Sequence, residues 1–192
     1  MAKAKRTGTD EIIAESFKKQ ARKHPIDKIT IGQIAEGAGV IRSTFYNHFE
    51  DKYDLLKWCI FRDVITPAYP LIDMGMYEEA FLFIFTCLEK DKAFYKAAAR
   101  LTHPVSFIDI CSSCITEILM SVLGKTVVRS SWLTPENVTR YYAISLSIMI
   151  ESWLNGEVEI SAKEVGEAYK FIMTKSIKEV FDSFIEEKEF LA

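Results

Sequence analysis

Apolar side chains recur every three or four residues along most of the chain, and no segment alternates strictly between apolar and polar positions. The first period places side chains on one face of an α-helix, whereas strict alternation is typical of a half-buried strand. Eight Gly and five Pro among 192 residues are few, so short turns are expected between the helices. The pattern predicts an all-α protein.

Three short helices are predicted near the start of the chain. The first is predicted to have Thr9 as its N-cap and to end before Pro25, which cannot continue a helix. The second begins with a capping box, Thr30-Ile31-Gly32-Gln33, and ends at the glycines 37 and 39. The third is predicted from about residue 41 to residue 49. Helix, glycine turn and helix in this order are typical of a helix-turn-helix DNA-binding unit.

The third helix has a buried and an exposed side. Phe45 and Phe49 are four residues apart, so they share one face, which we expect to close a small core against Phe17 and Ile34. The polar residues between them are then left on the outer face. An outer polar face on the second helix of such a unit is suited to the major groove of DNA.

The run from Thr30 to Leu56 contains Thr-Phe-Tyr-Asn-His-Phe at residues 44–49, followed by Asp-Lys and a pair of leucines. This run resembles the signature of the TetR family of transcriptional regulators over roughly residues 9–58. The rest of the chain has a weaker similarity to regulators linked to dihydroxyacetone kinase operons. The resemblance implies an all-helical homodimer with a basic tail (1–8), a DNA-binding domain (9–52) and a larger domain for effector binding and dimerisation (53–192).

The resemblance also assigns DNA contacts to residues of this chain. Arg42 and Asn47 carry forked donors or an amide suited to guanine or adenine edges. Thr44, Tyr46 and Lys52 are suited to phosphate contacts, which position a protein without reading sequence. The complete set of predicted DNA-binding residues is Thr30, Arg42, Ser43, Thr44, Tyr46, Asn47, His48 and Lys52.

Two of the residues near the third helix have two interpretations each. His48 either hydrogen-bonds within the domain or donates to a phosphate. Ile41 stands where the family commonly has a serine or threonine as N-cap, and it cannot accept a backbone hydrogen bond. Ile41 either extends the apolar stripe of Phe45 or meets a thymine methyl in the groove.

The charge is unevenly distributed. Residues 1–52 hold ten Lys or Arg against seven Asp or Glu, a net +3, whereas residues 53–192 hold fourteen against twenty, a net −6. A basic N-terminal part on an acidic remainder favours contact between the N-terminal part alone and a polyanion such as double-stranded DNA. Arg6 lies in the basic tail, from which it is suited to reach a phosphate or the minor groove.

The larger domain is rich in aromatic residues, whose role has two interpretations. They line an apolar pocket for a small-molecule effector, or they form an ordinary core. The candidate pocket residues are Tyr69, Phe81, Phe85, Tyr95 and Phe107. A protein coactivator that docks on this domain is the alternative to a small molecule.

The last two predicted helices start at Thr134-Pro135 and at Ser161, and both have wide apolar faces. Two copies of such a pair bury these faces in a four-helix interface, and the alternative is a monomer with a larger core. The predicted dimer residues are Tyr141, Ile148, Trp153, Tyr169, Ile172, Ile177, Val180 and Phe184.

Other classes of function are disfavoured. No apolar run approaches the roughly 20 residues of a membrane span, and no apolar segment follows the basic N-terminus as in a secretory signal, so a cytoplasmic protein is expected. No catalytic constellation or cofactor motif is present, so neither catalytic residues nor a cofactor are predicted. Cys111 and Cys114 have Cys-x-x-Cys spacing without further metal ligands, so buried thiols are expected instead of a metal site.

Overall fold

The computed structural model describes residues 8–123, 134–157, 159–175 and 179, and this part of the chain is helical without strands. The all-α prediction is therefore confirmed. The helices are α1 (Gly8–Ala21), α2 (Ile31–Gly37), α3 (Arg42–Tyr46), α4 (Lys52–Ile60), α5 (Thr66–Asp73), α6 (Tyr77–Lys90), α7 (Lys92–Ala99), α8 (Phe107–Leu123), α9 (Pro135–Asn155) and α10 (Ala162–Thr174).

Helices α1, α2 and α3 form the head of the molecule around a small core. Phe17 of α1, Ile34 of α2 and Phe45 of α3 are fully buried. The capping box of α2 forms as predicted, because the Thr30 hydroxyl accepts from the Gln33 amide while the Gln33 side chain accepts from the Thr30 amide. Helix α3 covers five residues, shorter than the predicted span from residue 41 to residue 49.

Two glycines set the position of α2. Gly39 has a φ of +69°, which lets the chain turn sharply between α2 and α3. At Gly37 a Cβ atom would lie 2.5 Å from the hydroxyl of Ser16, so a larger residue here would displace that hydroxyl from between α1 and α2. The Ser16 hydroxyl in turn donates to the Ile34 carbonyl over 2.8 Å in the buried space between the two helices.

One long helical rod follows the head and is the first part of the rest of the chain, which we call the body. Helix α4 runs into a π-helical turn, Phe61–Ile65, and then into α5. The sequence predicts that α4 runs toward Pro67, yet the rod continues through Pro67 to Asp73. A proline lacks an amide proton, and its ring crowds the carbonyl four residues earlier. The π-helical turn widens the helix just before Pro67, and there the Thr66 amide donates to the Phe61 carbonyl.

The body packs α8 along α9 and α10 against α6. Aromatic pairs connect these elements: the ring centroids of Phe85 and Trp153 are 5.6 Å apart, and those of Phe81 and Tyr169 are 4.9 Å apart. Buried residues of head and body belong to one continuous hydrophobic core. The domain boundary between residues 52 and 53 stays a prediction.

Cys59, Cys87, Cys111 and Cys114 are free and buried, as expected from the sequence. Burial raises the pKa of the Cys111 thiol to about 12, so this group is protonated near neutral pH. In the part of the chain that the structure describes, no helix is long and apolar enough to cross a membrane. The same residues contain no group of three or more His, Cys, Asp or Glu arranged to hold a metal ion.

Candidate DNA-binding surface

The buried face of α3 fixes which residues point outward. Phe45 is fully buried and Phe49 nearly so, which anchors α3 to the head as predicted. Arg42, Ser43, Tyr46 and Asn47 are exposed, and Thr44 is partly exposed. We call these five residues the reading surface. All five lie on α3 or directly after it, outside the core.

Arg42 lies across the backbone of α2. A Cβ atom built on Gly32 would be 2.4 Å from Nη2 and 2.9 Å from Nε of Arg42, so the guanidinium occupies the space that a side chain at Gly32 would need. Thr30, Gly32, Ile41 and Arg42 line one shallow groove between α2 and α3. The structure thus brings the predicted DNA-binding residue Thr30 to the same edge of the head as Arg42.

Ile41 is not a core residue. Its side chain is 69% exposed at the N-cap of α3, and it makes no side-chain capping hydrogen bond. The interpretation that it extends the apolar stripe of Phe45 is wrong, because the chain at the start of α3 turns the side chain away from the core. What remains is an apolar side chain beside Arg42 at the rim of the reading surface.

His48 forms a bond within the head. Its Nδ1 atom is 2.6 Å from a carboxylate oxygen of Asp10, near the start of α1. Asp10 is buried, and His48 is partly buried. Of the two interpretations from the sequence, the structure contains the one within the domain. The bond joins the residues after α3 to α1.

Lys52 lies at the start of α4 and has a structural role that the sequence did not indicate. Its ammonium donates to the carbonyls of Asp27 (2.7 Å) and Ile29 (3.0 Å), directly before the capping residue of α2. Burial lowers the pKa of this ammonium below its ordinary value. An ammonium has three donors. Two of them hold the turn before α2, and a phosphate contact through the third stays a prediction.

The five candidate pocket residues lie in or against the core of the body. Phe85, Tyr95 and Phe107 are buried, and Tyr69 and Phe81 are partly buried against the same core. The Tyr95 hydroxyl donates to Asp63 over 3.3 Å. A separate groove between α8 and α9 is lined by other residues, namely Ile108, Asp109, Ser112, Ser113, Thr116, Glu117, Met120, Glu136, Arg140 and Ile144. The arrangement matches the core interpretation of this aromatic set.

The predicted dimer residues divide into two groups. Tyr141, Ile148 and Ile172 are 70%, 48% and 49% exposed on α9 and α10. Trp153 and Tyr169, by contrast, are buried inside the protomer, so their placement on an outer face was wrong. The Trp153 indole donates to the Ile160 carbonyl over 2.9 Å, and Tyr169 packs on Phe81. The remaining three, Ile177, Val180 and Phe184, lie outside the described residues.

Known proteins resemble this chain in sequence. The model of the family described as bacterial regulatory proteins, tetR family, matches residues 18–59. The HTH-type dhaKLM operon transcriptional activator DhaS of Lactococcus lactis subsp. lactis (strain IL1403) is 27% identical over 88 residues. This match covers 46% of the chain and 47% of the relative, so the chain spans about half of that protein's length.

Solved structures resemble the chain in fold. The dihydroxyacetone kinase operon activator DhaS has a TM-score of 0.57 at 21% identity, covering 84% of this chain and 91% of that one. The fatty acid degradation regulator FadR from Bacillus halodurans follows with 0.53 at 17% identity, covering 85% and 93%. NalD, the secondary repressor of the MexAB-OprM multidrug efflux pump in Pseudomonas aeruginosa, has 0.51 at 16% identity, covering 83% and 90%. At these identities the likeness shows the fold alone.

Proposed function

We propose that this chain is a transcriptional regulator of the TetR family, whose model matches residues 18–59, and that it binds a palindromic operator as a homodimer. The observation that carries the proposal is the reading surface, which α3 presents on the outside of the head while Phe45 anchors the helix from behind. A helix of this kind enters the major groove, and a two-fold dimer presents two such helices to two half-sites.

The residues of the reading surface are suited to two kinds of DNA contact, to base edges and to phosphates. Arg42 and Asn47 are exposed and carry the donors and acceptors that match guanine and adenine edges. Thr44, Tyr46 and the remaining donor of Lys52 are suited to phosphate oxygens, and Ser43 lies on the same exposed side. Thr30 and His48 act nearer the edge of this surface: Thr30 caps α2, and His48 fastens the end of α3 to α1.

The exposed apolar residues of α9 and α10 support dimerisation. Tyr141 and Ile148 are seven residues apart on α9, so they share one face of that helix, and Ile172 adds apolar surface from α10. Exposed apolar side chains of this size are most stable when a second copy covers them. A two-fold arrangement of the α9–α10 pair forms a four-helix interface.

Regulation through the body is the second part of the proposal. A small molecule that binds the body changes the DNA affinity of the head. The alternative is a protein coactivator that docks on the body, and the similarity to DhaS, a transcriptional activator, favours it. In either case the regulator works beside the chromosome, in the cytoplasm.

The proposal is tested by selecting duplexes from a random pool with the purified wild-type protein. We expect enriched inverted repeats with half-site centres about 34–36 Å apart, one turn of DNA. Analytical ultracentrifugation of the protein alone is expected to give a dimer. A monomer in solution together with no enriched inverted repeat would overturn the proposal.

The exposed Ile41 gives a first prediction about operator sequence. In Ile41→Ser, a hydroxyl replaces the apolar side chain at the N-cap of α3, and we expect the free energy of unfolding to rise by about 1 kcal/mol. The same change removes an apolar group suited to a thymine methyl, so thymine enrichment at one position of each half-site is expected to disappear. Urea unfolding and a repeated operator selection measure the two effects.

The control for this prediction is Ile12→Ser, since Ile12 is 53% exposed on α1 and lies outside α3. It is expected to leave the selected sequence unchanged. Identical thymine enrichment by wild type and Ile41→Ser would show that Ile41 does not contact a base.

A further inference from the structure

Four charged residues form a stripe along α1 and the turn directly after it. Glu11, Glu15, Lys18 and Arg22 follow one another at spacings of four, three and four residues, which places them on one face of a helix. Such a stripe is usually a solvated face. In this structure all four pair with residues outside the head, so the stripe is an interface between head and body.

Lys18 is the centre of this interface. Its side chain is only 6% exposed, and its ammonium lies 2.5 Å from a carboxylate oxygen of Asp63 and 3.1 Å from one of Asp91. The ammonium also lies 5.0 Å from the centre of the Phe94 ring. A single buried cation of the head is thus shared by two carboxylates of the body.

Two arginines extend the interface on either side of Lys18. Arg22 makes a two-pronged contact with Asp91, with distances of 3.0 Å from Nε and 2.6 Å from Nη2. Arg62 of the body reaches back to Glu11 (2.6 Å) and Glu15 (3.2 Å) on α1. Forked guanidinium contacts fix orientation as well as distance. The ion pairs between head and body therefore resist rotation of α1.

The partners of α1 come from two separate places in the body. Arg62 and Asp63 lie in the π-helical turn of the rod, and Asp91 forms the corner between α6 and α7. The Tyr95 hydroxyl of α7 donates to Asp63, which joins the two places to each other. Movement of either the π-helical turn or the α6–α7 corner must move the carboxylates that hold Lys18.

The electrostatics agree with a strongly held cation. Desolvation opposes the charged forms, but hydrogen bonds outweigh it: those to Arg62 and Lys18 lower the pKa of Asp63, and those to Arg22 and Lys18 lower the pKa of Asp91. Burial likewise opposes the charge of Lys18, yet its bonds to Asp63 and Asp91 raise its pKa above the ordinary value. Removing one partner leaves the remaining buried charges with fewer compensating bonds.

We propose that Lys18 is a positioning residue for operator binding, which sets the angle between head and body through its shared contact with Asp63 and Asp91. The inference rests on the proposed dimeric function. In a dimer the bodies are fixed to each other, so the angle of each head sets the distance between the two reading surfaces. One base pair changes the separation of two half-sites by about 3.4 Å, so operator spacing is a sensitive measure of this angle.

The experiment compares the selected operator with versions that have one base pair inserted or deleted between the half-sites. The variants are Lys18→Met and Asp91→Asn, with Lys163→Met as the control, because Lys163 makes an exposed ion pair with Glu167 within α10. The apolar contact between Phe17 and Phe94, whose ring centroids are 5.7 Å apart, still joins head and body in Asp91→Asn. Circular dichroism verifies that each protein is folded.

We expect the wild type and Lys163→Met to prefer the selected spacing by about tenfold or more, because a displaced half-site loses phosphate contacts. In Asp91→Asn and Lys18→Met the preference is expected to fall to about twofold, with about tenfold weaker binding to the selected operator, since the heads no longer hold one angle. If Lys18 and Asp91 only stabilise the fold, the substitutions lower the folded fraction and reduce the affinity for all spacings by the same factor. The ratio between spacings separates the two roles.

Two outcomes overturn the inference, and one of them also overturns the proposed function. If Asp91→Asn is folded and keeps the wild-type ratio, Lys18 and its partners do not position the head, although the proposed function stands. If the wild type selects no operator, the proposed function fails and the inference fails with it. If Lys18→Met does not fold, Arg22→Gln replaces it. The Arg22 side chain is 39% exposed and makes only an outer ion pair of the interface between head and body.

Discussion

Phe45→Ala is expected to lower the free energy of unfolding by about 3–5 kcal/mol and to abolish operator binding, because it empties the centre of a very small core. Phe45 is fully buried in the hydrophobic core, and its ring centroid lies 5.8 Å from that of Phe49. Urea unfolding followed by circular dichroism, with a gel-shift titration on the selected operator, measures both effects.

The neighbouring residue supplies the control for this prediction. Tyr46 is 58% exposed on the other side of α3, so Tyr46→Phe removes only a hydroxyl suited to a phosphate. It is expected to change stability by less than about 0.5 kcal/mol and to weaken binding to all duplexes alike. A Phe45→Ala protein that unfolds at the wild-type urea concentration would contradict the placement of α3 on the core.

Local signals in the sequence predict the head well. The capping box at Thr30 and the four-residue spacing of Phe45 and Phe49 are properties of neighbouring residues, and both appear as expected. The prediction that Ile41 extends the buried stripe was wrong, because the spacing of apolar residues alone does not show where a helix begins. In the sequence, the apolar stripe of Phe45 and Phe49 continues through residue 41. In the structure, α3 starts one residue later, and the side chain at the N-cap points outward.

Contacts between distant residues could not be predicted. Lys52 and Asp27 are 25 positions apart, and Lys18 and Asp91 are 73 positions apart, so nothing in the spacing identifies either pair. The charged stripe of α1 is visible in the sequence, yet a solvated face has the same pattern. Trp153 and Tyr169 illustrate a related limit, because a helix that is apolar on most sides does not reveal which side its own chain covers.

Gly32→Ala is expected to weaken operator binding by about 10- to 100-fold without loss of stability, since the contact it displaces is worth about 1–3 kcal/mol at a base edge. The new Cβ would lie 2.4 Å from Nη2 of Arg42. The colliding group is the far end of a flexible side chain, so it moves at little cost to the fold. Alanine also favours a helix over glycine by about 1 kcal/mol, so the melting temperature is expected to hold or rise.

Gly32 is expected to affect DNA binding through Arg42, and a double-mutant cycle tests this coupling. Arg42→Ala alone is expected to lose a similar factor in affinity, and Gly32→Ala is expected to cause no further loss once Arg42 is gone. Gly8→Ala is the control, because a Cβ at Gly8 meets no atom within 4 Å. If Gly32→Ala binds the operator as tightly as the wild type, the position of Arg42 over α2 does not contribute to reading DNA. If the two losses instead add in the double variant, Gly32 supports binding by a route independent of the guanidinium.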